Sequence, residues 1–206
     1  MKETGDVYKT LAKASEEILF KEKNSKFFAS AFPVDSETEI QEFLEEVRIR
    51  HKKAGHHCYA WQLGKEEESY HFKVNDDGEP GNSAGMPIFG QIQSYGLTNV
   101  LVVVTRYFGG VKLGVGGLIQ AYKTAALMAL DASDIVERTI DVQFELTFDY
   151  PELNKVMRLI KENNLEVIDQ KMTLSCKIFI AVRKSETEKT LEQLEALFKV
   201  DVKKVD

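Results

Sequence analysis

Apolar residues recur along this chain with two periods, and each period predicts an element. Ile40, Phe43, Leu44 and Val47 fall at i, i+3, i+4 and i+7, one face of a helix. Ser36 and Glu39 precede that run as a capping box, and Arg48, Arg50, Lys52 and Lys53 follow it, where the helix dipole favours cations. Gly55 is expected to stop the helix. Before it, Glu17 to Lys21 and Phe27 to Phe32 read as strands around the polar turn Lys23-Asn24-Ser25. After it, Cys58 to Leu63 and Tyr70 to Val74 read as a strand pair around the charged loop Lys65 to Glu68. A short helix is predicted from about Ala84, with Pro87 in its first turn and Gly96 at its C-cap. Val100 to Thr105 is β-branched and apolar throughout, the pattern of a strand buried on both faces. A glycine-rich loop, Gly109 to Gly117, then leads to a helix from Leu118 to about Leu130. Ala121, Ala125, Ala126 and Ala129 make that helix thin enough to lie close to a sheet.

The remainder follows another plan. Thr139 to Phe148 alternates as a strand, and Asp149 with Glu152 is expected to cap a helix carrying Leu153, Val156, Met157 and Ile160. Asn163-Asn164 is a turn signal. Leu165 to Ile168 and Thr173 to Val182 read as strands. Ser185 with Glu188 opens a helix bearing Leu191, Leu194, Leu197 and Phe198, and Val200 to Val202 closes as a strand. The order β-α-β-β-α-β is the ferredoxin-like plan. Two α+β domains follow, residues 1–134 and 135–206.

Composition changes this picture in one place. Among 206 residues, 27 Lys and Arg oppose 33 Asp and Glu, a net charge of −6. Such a chain does not coat a polyanion through its average field. Yet no carboxylate lies between Glu79 and Asp131, and that stretch holds nine of the 13 glycines with Arg106, Lys112 and Lys123. Two cysteines, Cys58 and Cys176, cannot build a disulfide framework and suit a reducing, cytoplasmic setting. No stretch approaches the ~18–20 apolar residues of a membrane span, so no membrane partner is expected.

Three motifs could carry chemistry. Asp76, Asp77 and Glu79 could hold Mg²⁺ or serve as acid and base, but Asp-Asp-Gly-Glu-Pro is also what a turn demands. His56-His57-Cys58 is zinc-competent and could pair a thiol nucleophile with His57 as base. Neighbours in a strand point to opposite faces, however, and a buried structural cysteine is the simpler reading. The run Arg106-Tyr107-Phe108-Gly109-Gly110-Val111-Lys112-Leu113-Gly114-Val115-Gly116-Gly117 joins a strand to a helix. Its backbone N–H groups, the helix dipole, Lys112 and Arg106 could hold an anion, although it matches neither GxxxxGK[ST] nor GxGxxG. The glycines equally permit close packing. Tyr107 and Phe108 could stack on a base, with one of them turned into the core.

These same residues resemble the IMPACT/YigZ family. The resemblance rests on Asp76-Asp77-Gly78-Glu79-Pro80, Ala84-Gly85-x-Pro87, and the run from Val103 through Arg106-Tyr107-Phe108-Gly109-Gly110-x-Lys112-Leu113-Gly114-x-Gly116-Gly117-Leu118. His57-Cys58-Tyr59-Ala60 is similar to the family's strand before the acidic loop. Asn82-Ser83 stands where the family usually has Gly-Thr, and Gln120 where it usually has Arg. The resemblance implies an N-terminal domain like domain 2 of ribosomal protein S5. It also implies a C-terminal domain like the ferredoxin-like domains of elongation factors. Eukaryotic relatives act in translational control through an additional N-terminal domain.

We therefore expect a cytoplasmic binding protein, rather than an enzyme, with a role in translation regulation or RNA binding and no cofactor. Its partner would be RNA or a ribosome-associated component. Phosphate would meet Arg106, Tyr107, Gly109, Gly110, Lys112, Gly114, Gly116, Gly117 and Lys123. One alternative is a metal-assisted hydrolase or phosphate-handling enzyme using Asp76, Asp77, Glu79 and His57. Another is a protein-interaction module that meets a protein partner through the C-terminal domain.

Overall fold

The computed structural model describes residues 5–205. Eleven strands and five helices occupy them, and the chain divides into two units, Tyr8–Arg138 and Thr139–Asp206, the latter with the described part of Met1–Val7.

In the first unit a five-stranded sheet has the order β2-β3-β6-β4-β5, formed by Ile18–Glu22, Ser25–Pro33, Val100–Tyr107, His56–Leu63 and His71–Asn75. Every neighbouring pair is antiparallel. One face packs Phe32, Tyr59, Trp61, Leu101 and Val103 on Ile40, Leu44 and Val47 of α1, Glu37–Arg50. The other packs Phe27, Cys58, Ala60, Val102 and Val104 on α2, Gly85–Ser94, and α3, Gly114–Asp131. The central strand β6 is thus covered on both faces, as its unbroken apolar run implies. All four alanines of α3 are 1% exposed or less, which is how that helix approaches the sheet.

Local signals hold in part. Ser36 Oγ accepts from Glu39 N–H at 3.3 Å, but the Glu39 carboxylate reaches back to Asp35 N–H at 2.7 Å instead of Ser36. Gly55 does not stop α1. The helix ends at His51, and Gly55 N–H donates to Arg106 C=O at 3.0 Å as the entry to β4. Gly96 takes φ +63° just beyond the end of α2, the left-handed stop that glycine allows. The loop placed at Gly109 to Gly117 is shorter, because α3 begins at Gly114. A further two-stranded sheet pairs β1, Val7–Leu11, with β7, Ile135–Thr139. The sequence reading had neither strand.

In the second unit β8, Asp141–Asp149, is followed by α4, Leu153–Glu162, then β9, Glu166–Lys171, and β10, Ser175–Arg183. Helix α5, Thr187–Glu195, and β11, Val200–Val205, complete it. The antiparallel sheet has the order β11-β8-β10-β9. Phe144, Leu146, Phe148, Cys176, Ile178, Ile180 and Val182 form its inner face against Val156, Leu159, Ile160 and Leu194. The strand expected over Thr139 to Phe148 is β8, which begins at Asp141; Ile140 just before it accepts from Lys184 N–H and donates to Asp6 C=O. Neither predicted cap forms here. A 3₁₀ turn precedes each helix, and no side chain caps α4 or α5.

Candidate functional site

Strands β5 and β6 are both antiparallel to β4, so they run the same way and end at the same edge of the sheet. The acidic loop after β5 and the glycine loop after β6 therefore leave side by side, where β4 begins with His56-His57-Cys58. The three motifs that stand apart in sequence meet at this edge. At its centre Glu79 Oε1 accepts from Arg106 Nη1 at 2.7 Å and from the Tyr122 hydroxyl at 2.8 Å. Glu79 and Arg106 are 9% and 5% exposed. A buried pair of this kind persists only when further donors and acceptors satisfy it. Here the satisfaction is partial: Arg106 Nη2 lies 3.4 Å from Ser25 Oγ, while the buried Nε has no partner among the described residues.

Each carboxylate of the loop has its own protein partners. Asp76 accepts from the backbone N–H groups of Asn82, Ala84 and Gly85 at 2.8, 2.9 and 2.8 Å, and so caps α2 from outside the helix. Asp77 accepts from His57 N–H at 2.6 Å, its own backbone held in the left-handed region at φ +42°. Glu79 takes Arg106. The three carboxylates, candidates for one shared cation, thus diverge to three tasks. Among the described residues no group of three His, Cys, Asp or Glu is arranged to hold a metal ion.

His57 and Cys58 point to opposite faces of β4, so they do not form a nucleophile–base pair. Cys58 Sγ–H donates to Asp76 C=O and to the Tyr122 hydroxyl at 3.0 and 3.3 Å. Burial pushes its thiol well above the usual range, with the nearby carboxylates adding to this. Burial also raises the Tyr122 phenol, so it serves as a donor to Glu79. Burial lowers His57 below 6.5, with Asp77 opposing.

The glycine-loop residues divide in the same manner. Arg106, expected to face phosphate, is buried against Glu79. Lys112 and Lys123 are exposed, and so are Gly110, Gly114 and Gly116. Gly110 and Gly114 take φ +83° and +72°. Gly116 and Gly117 lie inside the first turn of α3, which has no acidic residue and no side-chain cap. Gln120 donates to Thr124 Oγ1 at 3.1 Å on the exposed surface of that helix. Gly109 N–H lies 3.2 Å from Ser25 Oγ. Tyr107 is half-buried, its hydroxyl 3.1 Å from His51 Nδ1. Sequence reasoning did not reach Ser25, His51 or Tyr122 as site residues. Their partners lie 34 to 84 positions away, with no local pattern to mark them.

An antiparallel sheet with helices on both faces, and a buried ion pair tying an acidic loop to a glycine loop, define the class of domain. The family described as Impact N-terminal domain matches residues 23–130. The chain is 37% identical over 156 residues to the IMPACT family member YvyE of Bacillus subtilis, covering 76% of this chain and 70% of that protein. It is 32% identical over 180 residues to an IMPACT family member of Haemophilus influenzae, covering 85% and 84%. A solved structure of a hypothetical protein superposes with a TM-score of 0.76 at 25% identity over 98% of both chains. The chain belongs to the IMPACT family. No helix among the described residues is long and apolar enough to cross a membrane.

Proposed function

We propose that this protein acts in translation regulation by binding RNA, alone or in a ribosome-associated particle, through the segment from Phe108 to Lys123. The observation that carries the reading is how charge is disposed at the sheet edge. Glu79, the acid that the sheet edge brings against the glycine loop, is neutralised by Arg106 inside the protein, while Lys112 and Lys123 stay outside. The exposed first turn of α3 adds backbone N–H groups without an acid to compete for them. Arg106 then acts as the internal brace of the site, and contact with phosphate passes to the two lysines. The family's eukaryotic relatives, which act in translational control, favour the same setting. We further read the first unit as ribosomal protein S5 domain 2-like and the second as ferredoxin-like, and we place the protein in the cytoplasm.

The test is fluorescence anisotropy with a labelled 12-nucleotide single-stranded RNA across a salt series. Binding to single strands weakens with log[salt] by about 0.7 per phosphate contact. The Lys112→Ala/Lys123→Ala double variant should therefore bind more weakly and lose about 1.4 from the slope. An unchanged slope, or no RNA binding at low salt, overturns the reading.

A further inference from the structure

Beside the glycine loop lies a recess of about 280 Å³ lined by Asn24, Lys26, Phe28, Tyr107 and Phe108. We propose that this recess holds one unpaired nucleobase of a bound single-stranded RNA, an inference that rests on the RNA-binding reading above. The register pairs Lys26 with Tyr107 and Phe28 with Thr105, which puts Lys26, Phe28 and Tyr107 on one face of the sheet. Phe28 and Tyr107 meet edge to face, with ring centres 5.6 Å apart. Phe108, just past the strand, is 58% exposed, and the Arg106 guanidinium lies 5.6 Å from its ring. A large aromatic kept on the surface above a buried cation is a stacking platform, and every base has a π-face to offer it.

The walls are fixed before any ligand arrives. The β2–β3 turn places Lys23 and Asn24 at φ +44° and +66°, and its backbone touches the glycine loop directly. A Cβ on Gly109 would lie 2.0 Å from the Asn24 carbonyl carbon, so only glycine permits this contact. The recess also has polar edges. The Asn24 amide donates and accepts, and Lys26 donates. The Tyr107 hydroxyl is steadied by a relay, because Glu17 Oε2 lies 2.7 Å from His51 Nε2 and so keeps a proton there. His51 Nδ1 lies 3.1 Å from the Tyr107 hydroxyl and so holds the phenol in place at the rim of the recess, where it can exchange a hydrogen bond with a base edge. Aromatic faces with mixed donors and acceptors suit a base edge, and the lysines suit the flanking phosphates. A duplex keeps its bases stacked and cannot fill the recess.

The experiment uses the full chain and the same 12-mer carrying 2-aminopurine at a central position. Wild-type protein should quench the probe at saturation. Phe108→Ala, a surface change, should weaken binding about tenfold and abolish the quench, while Phe108→Tyr keeps both. Lys112→Ala should weaken binding yet leave the quench at saturation. If RNA binds but the probe is never quenched and Phe108→Ala binds normally, the recess is overturned and the RNA reading stands. Equal binding of the duplex form also overturns the recess. No RNA binding by any form overturns both.

Discussion

Glu79 ties the acidic loop to β6 and to α3. Its single oxygen Oε1 serves Arg106 and Tyr122, and Tyr122 in turn receives the Cys58 thiol. Removing one partner of a buried pair leaves an uncompensated charge, which costs about 3–5 kcal/mol. Glu79→Ala should lower unfolding stability by about that amount, because Arg106 is buried with nothing else of opposite charge bonded to it among the described residues. Trp61 is the only tryptophan and lies in the core of the first unit, so its fluorescence in urea reads this unit alone. A loss under about 1 kcal/mol would show that the pair is not what holds the loops together. The sequence marked Glu79 and Arg106 separately as chemistry-bearing residues, which they are. It did not mark them as partners, because they lie 27 positions apart with helix α2 between them. It assigned Arg106 to phosphate because a lone cation beside glycines has no visible counter-charge until the sheet is assembled.

At the scale of elements, the start of α3 shows where propensity misleads. Glycines at positions 114, 116 and 117 read as loop because glycine weakens a helix by about 1 kcal/mol relative to alanine. The helix forms there regardless, because Leu118, Ala121 and Tyr122 are pulled into the core and the turn before them follows. The glycines are not equivalent. Gly116 has open space where a Cβ would stand and no positive φ, so Gly116→Ala should stabilise by about 0.5–1 kcal/mol. Gly114 sits at φ +72°, where any other residue pays about 1–2 kcal/mol, so Gly114→Ala should destabilise by that amount. Thermal unfolding of the two variants should therefore move in opposite directions, and movement in the same direction would deny α3 its observed start. Elements with a long period, such as α1, or an unbroken β-branched run, such as β6, were legible because their packing is written in consecutive residues. Capping at α4 and α5 was not, because a 3₁₀ turn absorbs the residues that would have capped.

For the whole molecule, the least legible feature is the sheet of β1 and β7. Its strands are five residues each, weakly patterned, and about 130 positions apart, so only the closed fold brings them together. This matters for where the first unit ends. Leu11 is fully buried, Ala12 N–H donates to Asp134 C=O at 2.8 Å, and Ile135 packs against the main core. A fragment of residues 8–138 should therefore fold with the Trp61 emission of the full chain. A fragment of residues 8–131 loses β7, leaves β1 without its strand partner and strips the cover from Ile135's neighbours. Burial of one isoleucine is worth about 1.5–3 kcal/mol, and a single strand hydrogen bond adds about 1. Because Ile135 is only partly buried, the shorter fragment should be less stable by about 2 kcal/mol in urea. If the two fragments unfold together, β7 is a linker that happens to lie extended, and the unit closes at α3. If they separate as expected, the last seven residues of the longer fragment belong to the first unit's fold, although nothing in their own composition says so.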